Sequence, residues 1–178
     1  NIYAFANEVD IDLIRPFALR QIQCNMAISE RGLEGDYGVG IGKAILSAYP
    51  DSEITRAKAY TAAASEARMD GCDMPVIITS GSGNQGLTAS LPVIEYAREL
   101  QSSEEDLYRA LTVANLITIH QKTSIGRLSA FCGAVSAGCG AAAGIAYLLG
   151  GKFDVIAHTI ANALAICYGM ICDGAKPS

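Results

Sequence analysis

The densest run of chemically useful groups is Ser80-Gly81-Ser82-Gly83-Asn84-Gln85-Gly86. Its glycines free the backbone to turn N–H groups inward as an anion nest, and a helix following it adds the partial positive charge of its N-terminus. The Ser80 and Ser82 hydroxyls and the Asn84 and Gln85 amides are groups that grip a carboxylate or an ammonium. The run lacks the Gly-Lys-Ser/Thr ending of a P-loop, and no β-α-β frame surrounds it to make a dinucleotide site. The same composition suits a flexible surface loop. Sequence does not separate the two readings.

A second run is His120-Gln121-Lys122-Thr123-Ser124-Ile125-Gly126-Arg127, at a helix end and just ahead of Cys132. His120, Lys122 and Arg127 together suit carboxylate binding and proton transfer. On pattern alone the plainer reading leads, in which Lys122 complements the negative end of its helix. The six cysteines are Cys24, Cys72, Cys132, Cys139, Cys167 and Cys172. None has compact zinc or ferredoxin spacing. Cys132 and Cys139, seven apart on a helix, stand about 10 Å from each other, too far to share one metal ion easily. Cys24 and its neighbour Asn25 lie late in the first long helix, with core packing the default for Cys24. His158 and Asn162, four apart, line a pocket or satisfy each other in the core, and the core is again the default.

The elements that position these groups read as helices nearly throughout. Ile14, Ala18, Ile22 and Met26 form one apolar stripe with the period of a helix, and Pro16 suits a first turn. Residues 30–42 carry five glycines, which implies a loop or a close backbone approach. Asp51 or Ser52 caps a helix ending at Asp70-Gly71. Val76 to Thr79 is a short β-branched run, either a strand or an extended lead into the next loop. Helices are expected over 87–100, with Pro92 kinking it or marking its true start, and from a Ser102/Glu105 capping box to about Lys122. Two more follow over 130–149 and 153–169. Gly140 and Gly144 lie one turn apart, so their helix can approach a neighbour closely. The expected fold class is all-α: a compact Gly/Ala-rich helical bundle, with one or two short strands near residues 74–80, forming a single unit over 1–178.

The bulk properties narrow the partners. The chain has 178 residues and a net charge of −5, with no block of Lys or Arg, which argues against nucleic acid. Half the residues are apolar, so a real core is available and disulfide staples are not needed. Reduced cysteines in a cytoplasmic enzyme are therefore expected. Residues 129–151 carry no charge and 153–172 very little, which read locally as a membrane hairpin. The Ala/Gly content, the lack of Trp and the Gly150-Gly151 break favour two packed central helices instead, with no membrane partner. The chain starts with neither an initiating Met nor a signal peptide pattern, as an internal piece of a longer protein would.

Several of these motifs together resemble the L-cysteine desulfidase family, relatives of the α chain of iron–sulfur L-serine dehydratases. The matching stretches are Phe5-Ala6-Asn7 to Asp10, Cys24-Asn25, Met74-Pro75 to Gly86, Ile125-Gly126-Arg127-Leu128-Ser129-Ala130-Phe131-Cys132-Gly133, and Met170-Ile171-Cys172-Asp173-Gly174-Ala175-Lys176. The resemblance implies an oxygen-sensitive [4Fe–4S] cluster held by three cysteines, with one iron open to substrate. Cys132 and Cys172 match two of the ligands, and the family pattern continues beyond Ser178 to another cysteine. A further motif lies upstream of Asn1. The segment is thus expected to hold an incomplete cluster site and the full-length protein a complete one. The implied reaction converts L-cysteine to pyruvate, ammonia and hydrogen sulfide, or L-serine to pyruvate and ammonia. Ser80, Ser82, Asn84 and Gln85 would hold the substrate carboxylate, Lys122 and Arg127 would add charge, His120 would carry the proton, and Asp173 would orient the cluster side. A helical amino-acid sensor and a differently metallated small-molecule enzyme are the rival readings, and a homodimer is the expected assembly.

Overall fold

A computed structural model of the chain describes residues 1–126, 129–167 and 170. Among them the elements run α1 (Ile2–Glu8), α2 (Ile11–Glu34), α3 (Ile41–Ala48), α4 (Glu53–Met69), α5 (Gly83–Glu99), α6 (Glu104–Ile125), α7 (Gly133–Leu148) and α8 (Phe153–Ile166). The all-α expectation holds. The expected short strand does not form: among the described residues the only β feature is an isolated bridge between Thr79 and Ser82. Val76 to Thr79 is instead an extended lead into α5. No helix among the described residues is long and apolar enough to cross a membrane.

Local chemistry sets most helix starts. Asn1, Asp10, Ser52 and Ser103 each accept a hydrogen bond from a backbone N–H in the first turn, which satisfies one of the orphan donors there. The capping residue of α6 is Ser103, one later than the Ser102/Glu105 pattern suggested; its Oγ accepts from the Asp106 N–H and donates to the Asp106 carboxylate. Ser82 and Cys132, the N-caps of α5 and α7, make no side-chain cap bond. Helix α5 begins at Gly83, four residues before its expected start, so Pro92 lies in its interior. Pro16 likewise sits past the first turn of α2.

Helix α5 is the hub, packing against α2, α4, α6 and α7. Leu87, Leu91 and Val93 on it are fully buried, and they meet Ile28 of α2, Ala64 and Ala67 of α4, and Leu111 and Ala114 of α6. A second cluster joins Ala6, Val113, Ile117, Ala143, Ala146 and Ile156. The expected apolar stripe of α2 faces the first core. The small-residue seam is real. A Cβ on Gly140 would lie 2.2 Å from Thr118 Oγ1 and 2.4 Å from the Ala114 carbonyl oxygen, so α6 and α7 touch backbone to backbone. Gly32 belongs to α2 itself, where a Cβ would stand 2.3 Å from the Ala63 carbonyl oxygen, so the glycines of 30–42 serve a close approach as well as a loop. Helix α8 packs on α7, and Ile156 is its one residue classed as buried. His158 and Asn162, expected in the core, are exposed. Cys139 is buried, whereas Cys167 and Cys24, for which core packing was the default, are only half-buried.

A carboxyl group sits inside this packing. Glu95 is fully buried, and the guanidinium groups of Arg98 and Arg56 approach it at 3.1 and 3.6 Å. These contacts supply charge without hydrogen-bond alignment, and neither carboxylate oxygen has a hydrogen-bond partner among the described residues. Desolvation raises its pKa above the ordinary carboxylate value, and the two arginines only partly offset this. The folded state therefore holds this proton more tightly than the unfolded chain does. Stability from this site is greatest below the unfolded pKa and falls as pH rises toward the raised folded value. In the full-length protein, Glu95→Gln should flatten the decline in melting temperature across that pH window, and an unchanged slope would assign the decline to another group. The seam is tested by a pair of glycines. Gly140→Ala should cost about 1–3 kcal/mol in urea unfolding because backbone must move. Gly138→Ala, with nothing within 4 Å of its Cβ, should gain about 0.5–1 kcal/mol from lost unfolded-chain freedom. Equal effects would mean the seam is loose.

Candidate functional site

Among the described residues the extended 76–79 segment has no strand beside it, and side-chain amides pair its backbone. Asn25 of α2, fully buried, accepts from the Ile77 N–H at 2.9 Å. Its amide nitrogen donates to the Ile77 carbonyl at 3.4 Å, the Gly86 carbonyl at 3.3 Å and Ser90 Oγ at 2.9 Å. Beside it, Gln21 and Asn115 exchange two amide bonds of 3.1 and 2.8 Å, and Thr79 Oγ1 donates to Asn115 Oδ1 at 2.8 Å. Gly86 makes this contact possible, since a Cβ there would fall 2.0 Å from the Ile77 carbonyl oxygen.

This anchoring delivers the 80–86 run to the N-terminus of α5. Ser80 and Gly81 turn through positive φ of 53° and 109°, a conformation that L-residues such as serine rarely adopt. Ser82 is the buried N-cap, and Gly83, Asn84 and Gln85 form the first turn. Arg68 of α4 lies over this end: its guanidinium donates to Asn84 Oδ1 at 3.1 Å and occupies the space beside Gly83. Gln85 is buried, its Oε1 has no partner among the described residues, and its amide presses against Gly133 at the start of α7, where a Cβ would lie 2.2 Å from Nε2. The uncapped N-termini of α5 and α7 thus meet through one side chain.

Lys122, at the end of α6, reaches the turn that leads into α7. It is only 3% exposed, and its Nζ contacts Ser129 Oγ at 3.3 Å. Ser129 donates to the Phe131 carbonyl at 3.2 Å, which fixes the turn before Cys132. Gln121 reaches the Ser136 carbonyl of α7 at 3.5 Å. Cys132, a free half-buried thiol, donates its backbone N–H to the Met170 carbonyl at 3.3 Å. The chain beyond α8 therefore returns to the start of α7.

Of the sequence candidates, the structure sets Gln85 against Gly133, next to Cys132, with Ser82 and Asn84 at the same helix start, and ties Lys122 to Ser129, three residues before Cys132. Ser80 lies at the edge of a neighbouring groove. His120 is exposed in a different groove, beside Ile2 and Phe153. Two residues of helix turn it about 200° from Lys122. Arg127, Cys172 and Asp173 lie outside the described residues. Missed in the sequence were Arg68 and Ser129, and also Gln21 as part of the anchor. A signal for the anchor exists: Gln21, Asn25 and Ser29 recur every four residues beside the apolar stripe, and all three are buried. Asn25→Ala would strand the Ile77 backbone groups, each orphaned group costing about 1–3 kcal/mol. The full-length protein should lose stability on that order and gain protease cleavage between residues 74 and 82; unaltered cleavage there would mean the segment is held by something else.

The chain as a whole is similar to known proteins of one kind. The family described as "Serine dehydratase alpha chain" matches residues 2–178. A UPF0597 protein of Desulfitobacterium hafniense is 62% identical over 99% of this chain and 41% of its own length. UPF0597 proteins of Lachnoclostridium phytofermentans and Fusobacterium nucleatum are 55% and 52% identical, over 100% and 99% of this chain and 43% of each relative. The chain thus spans less than half the length of these curated relatives. No solved structure matches it. Matched from one end to the other, the chain belongs to the serine dehydratase alpha chain family.

Proposed function

We propose that the full-length protein eliminates a β-substituent from a small L-amino acid. L-cysteine would give pyruvate, ammonia and hydrogen sulfide, and L-serine would give pyruvate and ammonia. The observation that carries this reading is the meeting of two uncapped helix N-termini at Gln85 and Gly133, beside Cys132, with a buried lysine held by Ser129 three residues before it. Such a place favours an anion, because unpaired N–H groups and helix dipoles point into it. An amino-acid carboxylate suits the α5 end, with the Ser82 hydroxyl, the backbone N–H groups of the first turn and the Arg68–Asn84 pair around it. Gln85 Oε1, an acceptor with no partner among the described residues, suits the substrate ammonium. Lys122 Nζ, whose one hydrogen bond among the described residues is to a hydroxyl, is the group for holding charge or moving a proton beside Cys132.

A [4Fe–4S] cluster fits these residues in kind. Cys132 is a free thiol at a helix N-terminus, where a thiolate ligand is favoured. Among the described residues no three metal-binding side chains come together, so Cys132 would supply one ligand. Cys172, two residues past the point that touches Cys132, would supply a second, and the remainder of the polypeptide a third. When bound, the cluster would supply Lewis acidity toward the substrate.

The test is anaerobic, on full-length protein reconstituted with iron and sulfide, following pyruvate from L-cysteine and L-serine. Cys132→Ala and Cys172→Ala should each abolish turnover and the cluster's visible absorbance while leaving the helical signal intact. Lys122→Met should retain the absorbance and lose turnover by on the order of 10²-fold or more. A folded protein that binds amino acid without making pyruvate would replace this reading with a sensor.

A further inference from the structure

Beside the 76–80 segment runs a groove of about 400 Å³ whose walls come from four elements. Phe5 of α1, Phe17 of α2, Ile78 of the extended segment and Ile119 of α6 line it, and they are 48%, 77%, 60% and 43% exposed. Scattered exposed apolar residues need no explanation, but four large ones around a single groove mark an interaction surface. The floor is Gln21, Thr79 and Asn115, whose side chains already bond one another at 2.8 to 3.1 Å. A polar small molecule finds little unmet hydrogen bonding there, whereas apolar side chains of a polypeptide find walls that match them.

We propose that this groove is where the remainder of the full-length polypeptide docks onto the segment. More than half the length of the matched relatives lies outside the region this chain covers, so a full-length protein of that size has a large body of chain available to dock. A tethered partner has an effective concentration in the millimolar range, which favours it over a second copy for the same apolar surface. The groove shares Ile78, Thr79 and Ser80 with the anchored approach to α5. Docking there covers the outer side of the segment whose inner side Asn25 holds, and it brings the remaining polypeptide to the edge of the candidate site at Ser80. This inference is independent of the proposed reaction.

A photo-reactive benzoylphenylalanine placed at position 17 of the full-length protein tests it. An equal mixture of isotopically heavy and light chains is irradiated, and cross-linked peptides are mapped. The expected result joins position 17 to peptides outside this segment, heavy to heavy and light to light. Its yield should not depend on protein concentration and should stand ~10-fold above that from position 39. Val39 is a suitable control because it is 86% exposed and lies away from the groove. Mixed heavy–light products would overturn the proposal in favour of a second copy. Absence of cross-links at 17, or equal yields at 17 and 39, would overturn it as well. If substitution at 17 prevents folding, the same measurement at position 78 decides.

Discussion

Asn25 makes four hydrogen bonds in an environment that water does not reach, and the approach to α5 depends on them. An extended segment carries one donor and one acceptor per residue, and burial leaves these costly unless paired. A sheet answers that demand with another strand. Here a carboxamide, itself a copy of the peptide group, takes the strand's place at Ile77. It also ties the same residue to Gly86 and Ser90 in the first two turns of α5. The Ser80–Gly81 turn can then lead straight to an uncapped helix start, because the chain on either side of it is fixed.

Electrostatics and packing pull in opposite directions at that helix start. Leaving Ser82 and Cys132 without side-chain caps forgoes roughly 1 kcal/mol at each helix. Burying Lys122 against a hydroxyl, and Gln85 with an orphan oxygen, adds further cost. The close-packed body offsets this, with α5 enclosed by four neighbours and α7 pressed onto α6 through Gly140. The overall charge of the chain is negative, yet the groups gathered here are Arg68, Lys122 and the positive ends of two helices. Local arrangement, not net charge, makes the place suitable for an anion.

Much of the helical frame was legible in the sequence, since period-four stripes and Ser or Asp caps are local signals. The seam at Gly140 and Gly144 was legible too, because spacing alone puts both on one face. What escaped was decided by distant partners. Whether Gly83 to Gly86 is loop or helix depends on Ile77 coming within contact of Gly86, which no local pattern records. The depth of Lys122 follows from residues 129–131 folding across it, so the solvated helix-end reading was reasonable and incomplete. The apolar sequence of α8 reads as a buried helix, yet His158, Asn162 and most of their neighbours face outward. Composition signals a need for cover without saying what provides it.

The bond from the Cys132 N–H to the Met170 carbonyl turns α7 and α8 into a matched pair of lengths. Sixteen residues of α7 carry the chain about 24 Å away from Cys132, and fourteen of α8 bring it about 21 Å back. The spacing between Cys132 and whatever follows Met170 is therefore metered by two helices, not by a loop. Gain or loss of one turn in either helix alone would shift the return by about 5.4 Å, enough to break the bond between Cys132 and Met170. Equal changes in both would leave it in place. Over evolutionary time, insertions along this hairpin should thus come in compensating pairs, while the loops elsewhere are free to vary singly.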